Sequence, residues 1–142
     1  MDFLDNSKFR KQLDAARRRG EELGKQVAPL RAALDQADDE HKALQRELIT
    51  IRTTLAQFTA GEVELTDGQF WELSKRVDLL TVRTKRAGEL RAVAYKAHDK
   101  AASEARSELR QLRSAALVEF DTDVKAARLD LDRQLLAGLP SF

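Results

Sequence analysis

Between Phe9 and Phe58 the chain holds one apolar register without a slip. Phe9, Leu13, Ala16, Gly20, Leu23, Val27, Leu30, Leu34, Ala37, His41, Leu44, Leu48, Ile51, Leu55 and Phe58 follow one another in alternating steps of four and three. A mean spacing of about 3.5 residues is that of an α-helix supercoiled left-handedly against a partner. The rest of the chain reads as that partner.

Composition points the same way. The chain is 42% hydrophobic, 35% charged and only 6% aromatic, and its apolar share is mostly Ala and Leu, which suit narrow helix seams rather than thick cores. Two prolines and six glycines leave few places to turn. The expected fold is therefore all-α: one long antiparallel helical hairpin over residues 1–142, a coiled coil that oligomerises into a helical bundle. A net charge of +1 gives no global attraction to nucleic acid or anionic membrane. The absence of cysteine excludes disulfides, a thiol nucleophile and Cys-ligated metal sites. The acidic start Met1-Asp2-Phe3-Leu4-Asp5 lacks a signal-peptide pattern. No apolar run approaches the ~20 residues of a membrane helix. A cytoplasmic protein is expected, with a phage or virion component left open.

Asp5, Asn6 and Ser7 are suited to cap the first helix, expected over about 6–59. Pro29 costs about 3 kcal/mol in a helix interior, yet Val27, Leu30 and Leu34 stay in phase with Leu13 and Leu48. This phase predicts a kink near Pro29; the alternative is a split near residues 24–29. Residues 60–65 form the turn, with Gly61 placed to end the first helix in a left-handed conformation. Thr66 and Gln69 have capping-box spacing, and Leu65 and Phe70 that of a hydrophobic staple. The second helix is expected over about 66–137, closed by Gly138 and Pro140. At 1.5 Å per residue the arms would measure ~80 Å and ~105 Å.

In the second arm Phe70, Leu73, Val77, Leu80, Thr84 and Ala87 keep heptad steps. Eleven-residue rows then take over: Ala94, Ala105, Ala116 and Ala127; Leu109, Phe120, Leu131 and Phe142; Leu79, Leu90, Ala101 and Leu112. Such spacing straightens a helix. Folding the chain about residues 62–63 sets Leu55 against Phe70, Leu48 against Val77, and Gly20 and Gly24 against Ala105 and Ala101. Glycines there would let the backbones approach closely, or are merely tolerated weak spots. Past about residue 124, Val124, Leu131, Leu135, Leu136, Leu139 and Phe142 have no facing partner. Trp71, Leu79, Val82, Leu90 and Val93 form a further outer stripe. Both stripes are expected to be interfaces, in a homodimer or higher oligomer or with a heterologous protein.

Chemistry is sparse. His41 and His98 lie too far apart along the hairpin to share a metal, and Asp38 with His41 lacks the carboxylates of a di-metal site. No phosphate-binding glycine loop or Ser/His/Asp set appears. No enzymatic activity, cofactor, metal or small-molecule substrate is expected. Phe58, Val63, Leu65, Phe70 and Trp71 gather at the apex, either as a local core or as a gripping tip. A basic stem contains Arg17, Arg18 and Arg19, faced by Arg106, Arg110 and Arg113, while the C-terminal stretch is acidic at Glu119, Asp121, Asp123, Asp130 and Asp132. Phosphate binding and charge-matched packing between copies both fit this segregation. The leading expectation is a non-enzymatic structural or assembly protein, a scaffold, spacer or adaptor. The alternative is a nucleic-acid-associated accessory protein using the basic stem.

Overall fold

A computed structural model describes residues 7–138. They form two helices packed against each other as an antiparallel hairpin, α1 (Ser7–Thr59) and α2 (Asp67–Ala137), with no strand among the described residues. α1 runs through Pro29 without a break, and Pro29 sits on its exposed side. The alternative of two shorter helices is thereby corrected. The expected caps Asp5 and Asn6 lie outside the described residues.

The turn has the local chemistry that its residues prescribe. Gly61 adopts φ 77°, which a side chain would strain. Its amide donates to the Phe58 carbonyl at 3.1 Å, and the Glu62 amide donates to the Gln57 carbonyl at 2.9 Å. This crossed pair is a Schellman motif, satisfying two carbonyls that α1 leaves open. α2 then starts on a reciprocal capping box. The Gln69 amide donates to Thr66 Oγ1 at 3.2 Å, and the Thr66 amide donates to Gln69 Oε1 at 3.0 Å. The far end of α2 differs from expectation. The Gly138 amide donates to the Gln134 carbonyl at 3.2 Å and Gly138 has no positive φ, so it continues helical bonding and is not a left-handed cap.

The packing divides into two compact units, which meet in sequence at Gln26/Val27 and Ala101/Ala102. The unit of residues 27–101 contains the turn. Its core is Leu48, Ile51 and Leu80, with Leu44, Leu55, Leu73 and Val77 packed around them. Leu80 is the most deeply buried of these at 3% exposure. Phe58 and Phe70 close the turn with ring centroids 5.5 Å apart. The inward face of α2 keeps its heptad steps through Ala87, Ala94, His98 and Ala101, all buried or half-buried, so the heptad phase lasts longer than expected. Leu79 and Leu90 are exposed and belong to the outer surface, not to the seam.

The facing pairs are displaced by about one helical turn from those expected. Phe58, rather than Leu55, meets Phe70, and the His41 ring meets Gly88. The seam of α1 ends at Phe58, one residue before the helix does. That of α2 begins only at Phe70, after the capping turn Asp67–Gln69. Matching the two seams, rather than halving the loop, sets the alignment.

The second unit is described for residues 7–26 and 102–138. Leu23 and Ala116 are buried, and Phe9 stacks on Phe120 with centroids 4.3 Å apart. Here the inward face does follow eleven-residue rows: Ala105, Ala116 and Ala127, with Leu109, Phe120 and Leu131, are buried or half-buried. Polar pairs close one flank. Lys8 Nζ lies 3.0 Å from Glu119, Gln12 also donates to Glu119, and Arg19 Nε lies 2.9 Å from Glu108. The Gln12 and Lys8 hydrogen bonds hold the Glu119 carboxyl below the usual carboxylate range.

Of the two readings of Gly20 and Gly24, that of tolerated weak spots is the one the structure supports. A Cβ on Gly20 would meet the Leu109 methyls at an ordinary 3.6 Å, and one on Gly24 would meet nothing within 4 Å. Neither serves a close backbone approach, because the one-turn displacement brings Leu109 rather than Ala105 against Gly20. Gly88 is the glycine that makes room: a Cβ there would lie 3.2 Å from His41 Nε2. Gly24→Ala is therefore expected to stabilise the protein by about 1 kcal/mol through helix propensity. Gly88→Ala is expected to gain less than half of that in the wild type and the full amount in a His41→Ala background. Urea unfolding of the four variants and the parent measures this coupling; equal gains from Gly88→Ala in both backgrounds would refute it.

Candidate interaction surface

The outward side of α2 in the 27–101 unit carries Trp71, Leu79, Val82, Leu90 and Val93, each between 49% and 67% exposed. Their spacing is eight, three, eight, three. On a helix of 3.6 residues per turn these steps confine them to a band about 100° wide and ~33 Å long. α1 cannot cover them, because α2 turns its inward row of Leu73, Val77, Leu80, Thr84 and Ala87 toward α1. Trp71 follows Phe70 by about 100°, so when Phe70 packs on Phe58 the indole is carried away from the apex core. Val63 and Leu65, in the turn, are half-buried. The apex is a local closure, with Trp71 left at one end of the stripe.

Below the stripe a furrow between α1 and α2 is lined by Glu47, Leu73, Lys75, Arg76, Leu79 and Arg83, and Arg76 pairs across it with Glu47. Farther from the turn, the seam becomes polar. The Asp38 carboxylate lies 2.8 Å from Lys42 Nζ and 2.6 Å from Arg91 Nε. The Lys42 hydrogen bond, with the Arg91 charge, holds the Asp38 carboxyl below the usual carboxylate range. Thr84 Oγ1 is buried there without a hydrogen-bond partner. Asp38 thus serves two cations of its own chain while His41 packs over Gly88. Among the described residues no cluster of three His, Asp or Glu side chains is placed to hold a metal ion. No helix is long and apolar enough to cross a membrane, again among the described residues.

The other stripe foreseen from sequence divides. In the unit of residues 7–26 and 102–138, Leu135 and Leu136 are exposed, whereas Val124 and Leu131 are half-buried along the inward rows; Leu139 and Phe142 lie outside the described residues. Val118 and Leu129 are also exposed. Sequence reasoning passed over them, although their eleven-residue separation repeats the spacing of Val82 and Val93. Ile49 on α1 is a further exposed apolar side chain with no such partner in sequence.

The basic run does not become a patch. Arg17, Arg18 and Arg19 step around α1 by about 100° each and point to different sides. Arg19 is engaged by Glu108 and by Glu22 at 3.2 Å, and Arg17 lies 3.9 Å from Asp14. Arg106, Arg110 and Arg113 are exposed on α2. They form a row of their own at helical spacing, without the Arg19 side chain, which the acids hold. No protein-family model, curated protein or solved structure matches the chain.

Proposed function

We propose that this chain is a non-enzymatic assembly protein: a coiled-coil hairpin that acts as scaffold, spacer or adaptor through helix-mediated contacts with protein. One observation carries the reading. Trp71, Leu79, Val82, Leu90 and Val93 stand exposed in a single ordered band on a helix whose other face is already used for folding. A band of that length is costly in water, and large apolar side chains aligned this way on a surface mark contact sites. In the same unit the side chains with chemistry to offer are spent on structure: Asp38 on Lys42 and Arg91, and His41 against Gly88.

The test compares the wild type with a Val82→Glu/Leu90→Glu variant as baits in lysate of the native host. Both sites are exposed, so at low protein concentration the variant is expected to keep the parent's unfolding midpoint, since surface changes move stability by about 0.5 kcal/mol or less. Wild-type bait is expected to retain a protein, either its own kind or another, that the variant does not. Identical retained sets would refute the reading. Retention of nucleic acid instead, lost on Arg106→Glu/Arg110→Glu and with rising salt, would replace it by a nucleic-acid-associated role.

A further inference from the structure

Resting on the assembly reading above, we infer that the occupant of the α2 stripe is a second copy of this chain, docked antiparallel about a two-fold axis at Val82. The charged residues set among the apolar ones carry the inference. Lys75 and Arg86 are eleven residues apart, as are Asp78 and Glu89, so both rows follow the spacing of Trp71, Val82 and Val93. All four charged side chains are exposed, and among the described residues none takes part in an ion pair or hydrogen bond within the chain. Of the other charged side chains in this stretch of α2, Arg76 pairs with Glu47 and Arg91 with Asp38, whereas Glu72, Arg83 and Lys85 also stay without an ion pair.

Reversing one α2 against another about Val82 turns this unused pattern into a matched one. Val82 meets its own copy, Trp71 meets the second copy's Val93, Lys75 meets Glu89 and Asp78 meets Arg86. By symmetry each contact occurs twice, save the one on the axis, as in any isologous interface. Leu79 and Leu90 fill the spaces between these layers. A parallel, in-register pairing is opposed by the same residues, because it sets Lys75, Asp78, Arg86 and Glu89 each against its like. Moving the axis by half of the eleven-residue spacing in either direction keeps fewer of the apolar and charged pairs. Apolar and charge patterns thus select one partner, one direction and one axis, the combination by which specific helix pairs exclude wrong registers.

Because the chain has no cysteine, single thiols report the arrangement directly. Under mild oxidation Val82→Cys is expected to form a disulfide-linked dimer. Trp71→Cys and Val93→Cys are each expected to stay unlinked alone and to link when mixed, since only facing positions bring Cα atoms within disulfide reach. Lys75→Glu/Arg86→Glu is expected to weaken the dimer roughly tenfold by sedimentation, and adding Asp78→Lys/Glu89→Lys to restore it. Linking by every single variant means a parallel pairing and overturns the inference. Absence of linking by all of them also overturns it. A wild-type chain that stays monomeric yet retains a different protein through the stripe refutes the second copy while leaving the assembly reading in place.

Discussion

Leu80→Ala is expected to lower the stability of the hairpin by about 3 kcal/mol, which for a helical chain of this size is a fall of about 10 °C in unfolding midpoint. Leu80 is 3% exposed and packs with Leu48 and Ile51 in the core that closes the turn-bearing unit. Truncation removes its transfer free energy and leaves a cavity that two helices can only partly close. The magnitude is placed in the lower half of the range for buried leucines because Leu44, Leu55, Leu73 and Val77 are only partly buried and can shift inward. Val82→Ala, two residues along on the opposite side of α2, is the control. Val82 is 67% exposed, so below the association threshold its truncation is expected to change stability by less than about 0.5 kcal/mol. Circular dichroism melts of the two variants at low concentration make the comparison. Similar losses would mean that the inward face of α2 had been wrongly assigned. At higher concentration only Val82→Ala should gain a concentration-dependent loss, because that side chain lies in the proposed dimer interface.

The seam of α1 was legible in the sequence because helical period and burial agree there at nearly every position, from Phe9 to Phe58. The turn was legible for a different reason: Gly61, Thr66 and Gln69 act through short-range backbone bonds that depend on almost nothing else. The alignment of the two arms was not legible. A displacement of one turn keeps every heptad position on the seam, so periodicity alone tolerates Leu55 or Phe58 opposite Phe70. The ends of the two seams decide between them, Phe58 with Phe70, and that matching is a property of the pair rather than of either strip. The close-approach reading of Gly20 and Gly24 depended on that alignment and fell with it, and the part played by Gly88 beside His41 follows from the same alignment. The outer band at Trp71, Leu79, Val82, Leu90 and Val93 was readable from spacing, whereas its four charged companions were not. Lys75, Asp78, Arg86 and Glu89 resemble any solvated helix charges until the exposed apolar band they are set in is seen, and with it that none of the four pairs within the chain. The arginine run is one block in sequence but not on the helix, because residues adjacent in sequence are dispersed around it.

Pro29→Ala is expected to stabilise the protein by about 2 kcal/mol. A proline within a helix costs about 3 kcal/mol relative to alanine, through the missing amide donor and the ring's clash with the carbonyl four residues earlier. Against this, proline restricts the unfolded chain, and losing that restriction gives back up to about 1 kcal/mol. No apolar contact of consequence is at stake, since Pro29 is exposed while Val27 and Leu30, on either side of it, are half-buried in the register. The net gain is larger than the roughly 1 kcal/mol expected of Gly24→Ala five residues earlier, and the two should be nearly additive because their side chains share no partner. Urea unfolding of the single and double variants gives the ordering. A loss of stability in Pro29→Ala would mean that the proline shapes the path of α1, so that an ideal helix there pulls the register out of phase with α2. The unbroken sequence of inward positions on both sides of Pro29, Leu23 and Val27 before it and Leu30 and Leu34 after it, argues for the gain. A seam that keeps its phase through a proline has no need of the proline to keep it.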